Sequence, residues 1–213
     1  MNAREEVLDR IRAALGEPRP KAAPVPRGYR TGTGLARPDL VAMLADRLAD
    51  YGAGVRRCGY EELSATVGAA LAERGACVVV VPAGFDVAVP DGLEWATGDG
   101  MTAAELDAVD GVVTTAALAI AETGTIVLDG SQGQGRRDLS LIPDYHLCVI
   151  REDQIVGLIT EALPLLDPRR PLTWISGPSA TSDIELDRVQ GVHGPRTLEV
   201  ILVGPEPQEP RGA

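Results

Sequence analysis

The chain is poor in aromatic residues, and this shortage excludes one class of partner. Aromatic residues make up only 3% of its 213 residues, too few for a surface that stacks the bases of single-stranded nucleic acid. The net charge of −11 at pH 7 also opposes binding to a phosphate backbone, which proteins hold with clustered lysine and arginine. We therefore expect no nucleic-acid partner.

Cysteine and histidine are also scarce. Cys58, Cys77 and Cys148 lie far apart and form no Cys-x-x-Cys pair, which argues against a secreted disulfide framework and fits a reducing cytoplasm. Three cysteines cannot hold an iron–sulfur cluster in the usual four-cysteine way, so we interpret them as small buried apolar residues. His146 and His193 lack zinc-type spacing, and we predict no metal site.

Long hydrophobic runs are missing as well. No apolar stretch approaches the roughly 20 residues that a membrane-spanning helix needs. Residues 2–12 are charged throughout and are followed by no apolar core of the kind found in signal peptides. We therefore expect a soluble cytoplasmic protein without a membrane span. Apolar residues still make up 45% of the chain, enough for the core of one α/β domain.

The N-terminal part is predicted to be a helix followed by a linker. Asn2 and Glu5 have capping-box spacing, an apolar face extends over residues 2–15, and Gly16 closes the helix. The proline- and glycine-rich stretch that follows has no hydrophobic period, so we interpret it as an extended linker that either wraps the domain or is mobile. The predicted division is 1–38 for helix and linker, 39–204 for an α/β domain and 205–213 for a loose tail.

From residue 39 onward, helical and strand-like segments alternate in the manner of an α/β domain. Cys77–Val81 has the continuous β-branched character of a strand buried on both faces of a parallel sheet. Thr123–Gly124 separates two extended segments and predicts a hairpin. We predict an open, mixed, mostly parallel sheet flanked by helices, with function where loops leave the strand ends. The predicted helices include 39–51, 60–74 and 152–163, and a short one opened by a capping box at 102–105.

The glycine-rich loop Gly130–Gly135, followed by Arg136 and Arg137, is a candidate phosphate site. It matches neither the dinucleotide fingerprint nor the P-loop. Its backbone amides could still form an anion nest with the arginines as counter-charges. The alternative is a flexible surface loop with solvated arginines, and we leave the loop outside the candidate site.

Glu122 follows a very apolar strand and lies beside Thr123 and Gly124 in the predicted hairpin turn. A carboxylate at the end of a buried strand is suited to act as a base, a nucleophile or a ligand contact. The alternative is an exposed acid on a turn. We retain Glu122 as a candidate catalytic residue.

Two segments near the C-terminus, Trp174–Glu185 and Gly191–Arg196, are the most informative part of the sequence. They carry more hydrogen-bonding groups than a turn requires. Ser182 and Glu185 have capping-box spacing, which gives part of the first segment a structural explanation. The remaining hydroxyls precede this predicted helix start, where a phosphate or carboxylate is favoured. We therefore place the functional centre here.

His193 lies between Gly191 and Gly194 on a tight loop before the last predicted strand. A histidine in such a loop is either catalytic or structural, and both interpretations stay open. We expect His146, at the start of a strand, to be structural. The chain contains no Gly-x-Ser-x-Gly elbow, which argues against a serine hydrolase.

Four motifs together resemble the LUD-domain family, and in particular its lactate-utilisation protein C group. They occur in family order between about residue 40 and residue 203. The resemblance implies the fold of sugar-phosphate isomerases and CoA transferases, and a role in oxidising L-lactate to pyruvate beside two iron–sulfur proteins. The clusters are then expected on those partners, and no cofactor is expected on this chain. The motifs are Ala121–Leu128, Leu141–His146, Ser176–Glu185 and Gly191–Arg196.

We therefore predict an accessory subunit of a lactate-oxidising system that binds a small anion in a strand-end cleft. Glu122 and His193 would handle a proton, and Arg196 would add positive charge. The alternatives are an independent isomerase, CoA transferase or ATP-dependent ligase that uses Glu122, and an interaction module that docks through helix 2–15. A homo-oligomer is also compatible with the sequence. The candidate ligand-binding residues are Thr123, Gly124, Ser176, Gly177, Ser179, Thr181, Asp183, Glu185, Gly194 and Arg196.

Overall fold

The computed structural model describes residues 2–16, 24–85, 92–181, 189–191 and 193–206. They form an α/β structure that contains a large sheet, a smaller sheet and a two-stranded ribbon. The strands are β1 (Gly54–Cys58), β2 (Val78–Val80), β3 (Glu94–Ala96), β4 (Gly111–Thr115), β5 (Leu118–Ile120), β6 (Thr125–Leu128), β7 (Tyr145–Arg151), β8 (Ile155–Val156), β9 (Thr173–Ile175), β10 (Ala180–Thr181), β11 (Val189–Gln190) and β12 (Thr197–Val203).

The helices occupy the positions that the sequence predicts, with one exception given below. Pro38 lies in the first turn of α2, where its missing N–H costs nothing. Thr102 and Glu105 cap α4 as predicted, since each side chain bonds the backbone amide of the other. The α-helices are α1 (Ala3–Leu15), α2 (Arg37–Asp50), α3 (Leu63–Glu73), α4 (Ala103–Asp107) and α5 (Ile159–Ala162). Single 3₁₀ turns cover Tyr60–Glu62, Arg137–Ser140, Glu152–Gln154 and Leu163–Leu165.

The large sheet has six strands in the order β1-β12-β7-β4-β2-β3, and every neighbouring pair is parallel. The predicted open α/β sheet is therefore confirmed. The mixed pairing that was expected within it lies in the smaller sheet, of order β8-β5-β6-β9, where β6 runs antiparallel to both neighbours. The β5–β6 pair is the predicted hairpin.

The two faces of the large sheet bury different elements, because successive side chains of a strand point to opposite sides. Cys148, Ile150 and Leu198 share one face with the apolar side of α2 and with residues of the smaller sheet. Leu147 and Ile201 share the other face with α3.

The predicted helix over 152–163 is wrong. The structure has a 3₁₀ turn, the short strand β8 and only four residues of α-helix in this region. Ile155 is buried and pairs with Ala119 of β5, and the Arg37 guanidinium donates to the carbonyls of Ile155 and Glu152. These partners come from distant parts of the chain, and they override an apolar spacing that helices and short strands share.

The N-terminal helix is confirmed, with Asn2 and Glu5 forming the capping box and Gly16 ending the helix at φ 68°. No residue of α1 is buried. Within the described part of the linker, the carbonyl of Arg30 accepts a hydrogen bond of 2.7 Å from Thr160 of α5. The described part of the linker therefore contacts the α/β domain at Arg30, whereas residues 17–23 fall outside the described residues.

The cysteines differ in exposure: Cys148 is buried as expected, whereas Cys58 is half-buried and Cys77 is exposed. Burial raises the pKa of Cys148 to about 12, so it is a thiol at neutral pH. Of the helices in the described ranges, none combines the length and hydrophobicity that crossing a bilayer requires.

Candidate functional site

A cavity of about 350 Å³ between the two sheets contains much of the predicted site. We call it the polar cavity. It is lined by His146 and Leu198 near the amino ends of β7 and β12, by the whole of strand β9, and by three loops. Ligands of open α/β sheets usually bind at the carboxyl ends of strands, so this position differs from the common one. The loop residues are Arg137, Ser140, Leu141, Ser176, Gly177, Pro178, Ser179, His193, Gly194 and Pro195.

Ser179 joins the two C-terminal segments at the edge of this cavity. Its amide donates to the carbonyl of Pro195 over 2.8 Å, and its carbonyl accepts from Gly191 over 3.1 Å. Its hydroxyl accepts from the amide of His193 over 3.2 Å. The structure thus brings together five of the predicted site residues, namely Ser176, Gly177, Ser179, His193 and Gly194.

A chain of hydroxyls connects the β5–β6 hairpin with the cavity. Thr125 Oγ1 lies 2.8 Å from Thr123 Oγ1 and 2.8 Å from Ser176 Oγ. Gly124 has φ 59°, and a Cβ there would lie 2.8 Å from Cβ of Arg47 in α2. Thr123 and Gly124 therefore fix the hairpin against its surroundings, and neither lines the cavity.

Glu122 lies apart from this arrangement. Its carboxylate is exposed and pairs with the Arg30 guanidinium from the linker, and its amide donates to the carbonyl of Gly157. Glu122 lines neither the polar cavity nor its neighbour described below. The two candidate catalytic residues, Glu122 and His193, are thus not brought into one site.

Arg196 also lies outside the cavity lining. Its Nε donates to Asp144 over 2.6 Å at the surface, and this hydrogen bond raises the pKa of Arg196. Thr181 belongs to β10, which pairs with β11. Asp183 and Glu185, with the predicted capping box at 182–185, fall outside the described residues.

His146 is the cavity residue that sequence reasoning assigned no functional role. Its side chain is 1% exposed, its Nε2 lies 2.7 Å from Thr114 Oγ1, and its Nδ1 is buried with no partner among the described residues. Burial lowers the pKa of His146 to about 4, so the imidazole is neutral at pH 7. A buried polar atom without a partner costs about 1–3 kcal/mol, and a ligand that bonded Nδ1 would remove this cost. The only sequence signal is a histidine within an apolar strand.

Arg137 supplies the positive charge of the polar cavity. Its guanidinium has no hydrogen-bond or ion-pair partner in the part of the chain that the structure describes, whereas Arg196 is held by Asp144. The lining therefore combines one available cation, a neutral buried imidazole and several hydroxyls. Such a set can hold a small anion and bond a neutral polar group beside it. Within the described ranges, no three His, Cys, Asp or Glu residues cluster as metal ligands would.

Comparison with known proteins agrees with this fold. The family model described as LUD domain matches residues 43–203. Lactate utilization protein C of Deinococcus radiodurans is 45% identical over 95% of this chain and 96% of its own length. The protein of the same name from Bacillus subtilis is 34% identical over 43% of this chain and 41% of its own. A crystal structure of a duf162 family protein from Deinococcus radiodurans has a TM-score of 0.70 and 41% identity, covering 80% of this chain and 99% of that one. The chain belongs to the LUD-domain family.

Proposed function

We propose that this chain acts in lactate utilisation in the cytoplasm and binds a small anionic ligand in the polar cavity. The first part is supported by 45% identity, over almost the whole length of both chains, to a protein named Lactate utilization protein C. The second part is supported by one observation above all, the unpartnered Nδ1 of His146 in the lining of a cavity. The reaction served is the oxidation of L-lactate to pyruvate.

The lining suits a short 2-hydroxy or 2-oxo acid. The free guanidinium of Arg137 can bind the carboxylate through paired N–H donors. The neutral imidazole of His146 and the hydroxyl of Ser179 offer hydrogen bonds to an adjacent hydroxyl or oxo group. His193 lies at the same cavity and is exposed to solvent, which suits a group that exchanges protons.

The independent-enzyme alternative is less well supported. It relies on Glu122 as nucleophile or base, and that carboxylate is engaged by Arg30 outside the cavity lining. An accessory subunit of a lactate-oxidising complex needs no such nucleophile. The redox chemistry then belongs to iron–sulfur partner proteins.

The helix α1 supports association with such partners. Its apolar residues form one face, and none of its residues is buried within the described chain. Exposed apolar faces of this kind are typical of protein–protein contacts. The face consists of Val7, Leu8, Ile11 and Leu15, which are 36–54% exposed.

Growth on L-lactate tests the proposal. A strain that lacks the chain should grow poorly on L-lactate as sole carbon source and normally on glucose. Wild-type protein and Arg169→Gln should restore growth, because Arg169 is exposed and lines neither cavity. Arg137→Gln should restore it poorly. Normal growth of the deletion strain on L-lactate, with no second copy of the gene, would contradict the proposed role.

A further inference from the structure

A second cavity, of about 460 Å³, adjoins the polar cavity and shares Arg137, Ser140 and Thr173 with it. We call it the arginine cavity, because Arg136, Arg137 and Arg170 all line it. Its volume lies within the roughly 300–1,000 Å³ typical of small-molecule sites. Of the residues that line it, the proposed lactate site uses only Arg137.

The lining is positively charged although the chain is acidic. It contains three arginines and a single carboxylate, Asp129, whereas the whole chain has 31 acidic and 20 basic residues. A concave surface with one sign of charge raises the local concentration of the opposite ion. The contrast with the rest of the chain indicates an anion site.

Two of the arginines are held in place with donors to spare. Arg170 Nη1 lies 3.0 Å from Asp129 Oδ2, and Arg136 Nε lies 2.7 Å from Asp138 Oδ1. Arg136 also donates to the carbonyl of Met101. A guanidinium has five N–H donors, so these bonds position each group without exhausting it. The guanidinium of Arg137 has no partner within the described ranges.

The carboxylate that holds Arg170 is itself well fixed. Burial raises the pKa of Asp129, but hydrogen bonds from Ser131 and the charge of Arg170 outweigh burial and leave the pKa below its ordinary value. Asp129 is therefore ionised at neutral pH. The pair with Arg170 keeps one guanidinium oriented at the cavity wall.

The glycine-rich loop is closely packed, contrary to the interpretation as a flexible surface loop. Gln134 is 3% exposed; it accepts from the amide of Asp129 over 2.7 Å and donates to Ser131 over 2.9 Å. Gly135 has φ 66°, and a Cβ there would lie 2.6 Å from Leu139. The amides of Gly133 and Gln134 are bound to the carbonyls of Ala83 and Ser131. These two amides are unavailable for an anion nest, and the guanidinium groups are the charged donors of the lining.

We propose that the arginine cavity binds the phosphate group of an organic phosphate. Asp129 and Asp138 pair with Arg170 and Arg136 and leave one uncompensated positive charge, on Arg137. The three guanidinium groups still keep more unused N–H donors than the two oxygens of a carboxylate accept, which suits a phosphate. Planar guanidinium forks also fit phosphate oxygens in pairs. The organic part would extend past Arg137 toward the polar cavity, which shares Arg137, Ser140 and Thr173 with this site. The inference does not depend on which ligand the polar cavity binds, although Arg137 lines both cavities.

Calorimetric titration of the full chain with phosphates tests this site. The probes are inorganic phosphate, ribose 5-phosphate and ADP, in a buffer of low chloride concentration. We expect ribose 5-phosphate or ADP to bind more tightly than inorganic phosphate, and the preferred probe separates a sugar phosphate from a nucleotide. Absence of binding by all three, or equal affinity for all three, would overturn the proposal of an organic phosphate.

Variants of the arginines locate the bound phosphate. Arg170→Gln and Arg137→Gln should each weaken binding by about tenfold or more, as expected for the loss of a charge-assisted pair. Arg169→Gln, one position away and outside the lining, should change the affinity less than about twofold. Arg170→Lys, which keeps the charge and the contact to Asp129, should lose less than Arg170→Gln. Unchanged binding in both glutamine variants would place the phosphate elsewhere and contradict the inference.

The same preparations separate this inference from the proposed function. Arg170 lines only the arginine cavity, so Arg170→Gln should leave L-lactate binding in the polar cavity unchanged. Ser179→Ala should do the reverse, because Ser179 lines only the polar cavity. Phosphate binding without L-lactate binding would support the arginine site and count against the proposed ligand.

Discussion

Glu199 and His146 are both buried polar residues on neighbouring strands, yet their surroundings differ. Glu199 pairs with Leu147 in the sheet and His146 with Leu198, so the two are one register step apart and point to opposite faces. The Glu199 carboxylate accepts from Tyr145 over 2.8 Å and also from Arg56. His146 uses one ring nitrogen, and the other has no partner among the residues that the structure describes. On one face of the sheet the buried carboxylate has several hydrogen-bond partners, and we call this network closed. On the other face the imidazole beside the polar cavity keeps one nitrogen without a partner in the described chain, and we call it open.

We expect the hydrogen-bond network around Glu199 to stabilise the fold. Hydrogen bonds to Glu73 and Glu199 raise the pKa of Arg56, and burial followed by the bond to Glu199 raises the pKa of Tyr145. Arg74 lies 3.8 Å from Glu199 and above the Tyr145 ring. Arg56, Arg74 and Tyr145 all lie against the Glu199 carboxylate, and none of them lines either cavity. The fully partnered Glu199 network indicates a structural role. The unpartnered nitrogen of His146 supports the proposed ligand site.

The largest expected effect is the loss of stability when the network around Glu199 is broken. Glu199→Ala leaves Arg56 and Tyr145 without their buried partner, and should lower the free energy of unfolding in urea by about 3–5 kcal/mol. Glu73→Ala removes only the exposed partner of Arg56 and should cost much less. Equal losses in the two variants would show that the buried network does not stabilise the fold. Ligand affinity should be unchanged in Glu73→Ala.

The pH dependence of stability below pH 7 tests whether the His146 imidazole is buried in its neutral form. Burial lowers the pKa of His146 from about 6.5 in the unfolded state to about 4 in the folded state, so the unfolded state binds more protons between these values. Its contribution to the free energy of unfolding therefore rises from pH 4 to pH 6.5, by up to about 3 kcal/mol. Urea unfolding of His146→Leu should show a flatter profile in this range.

The second histidine is the control for that profile. His193 is exposed, and His193→Gln should keep the acid-dependent loss that His146→Leu removes. Parallel profiles for wild-type protein and His146→Leu would show that burial of the imidazole is not linked to stability. The interpretation of His146 as a buried neutral imidazole beside the polar cavity would then be wrong.

The next largest effect concerns the ligand. His146→Leu removes the unpartnered nitrogen, and this gain offsets the loss of the buried bond to Thr114. At pH 7 its stability cost should therefore be about 1 kcal/mol or less, while L-lactate affinity should fall by about tenfold, which is about 1.4 kcal/mol. Calorimetry measures the affinity, and Glu73→Ala serves as a stability-matched control. A variant that binds L-lactate as tightly as wild-type protein would remove His146 from the site.

The smallest effect on stability is expected at α1. Deletion of residues 1–16 removes no buried residue of the described chain, so the free energy of unfolding should change by less than about 0.5 kcal/mol. Co-purification of iron–sulfur proteins from lactate-grown cells should be lost. The deletion must end before Arg30 and Arg37, because both contact the α/β domain. Intact co-purification would contradict docking through α1.

Much of the fold is predictable from local sequence signals. The capping boxes at Asn2 and Thr102, the apolar strand at Val78–Val80 and the β5–β6 hairpin are determined within a few residues. The region around Ile155 is not, because its conformation depends on Arg37 and on Ala119 of another strand. A short apolar run fits either secondary structure until such partners are known.

The candidate site is predictable only in part, for a similar reason. Ser179 and His193 come together because their segments are close in sequence and carry surplus polar groups. The partner of Glu122 is Arg30, 92 positions away in a proline-rich linker, and no local pattern reveals it. His146 looks like an ordinary strand residue, and only the packing of two sheets shows that one of its nitrogens is unpartnered.

Nitrogen-15 NMR of the histidine side chains tests the central claim most directly. The chain has two histidines, so His193→Gln assigns both sets of signals. We predict that L-lactate at pH 7 shifts the Nδ1 resonance of His146, while the ring stays neutral and Nε2 stays bonded to Thr114. A His146 spectrum that is unchanged by saturating L-lactate and by pyruvate would contradict the claim that the unpartnered nitrogen marks the ligand site.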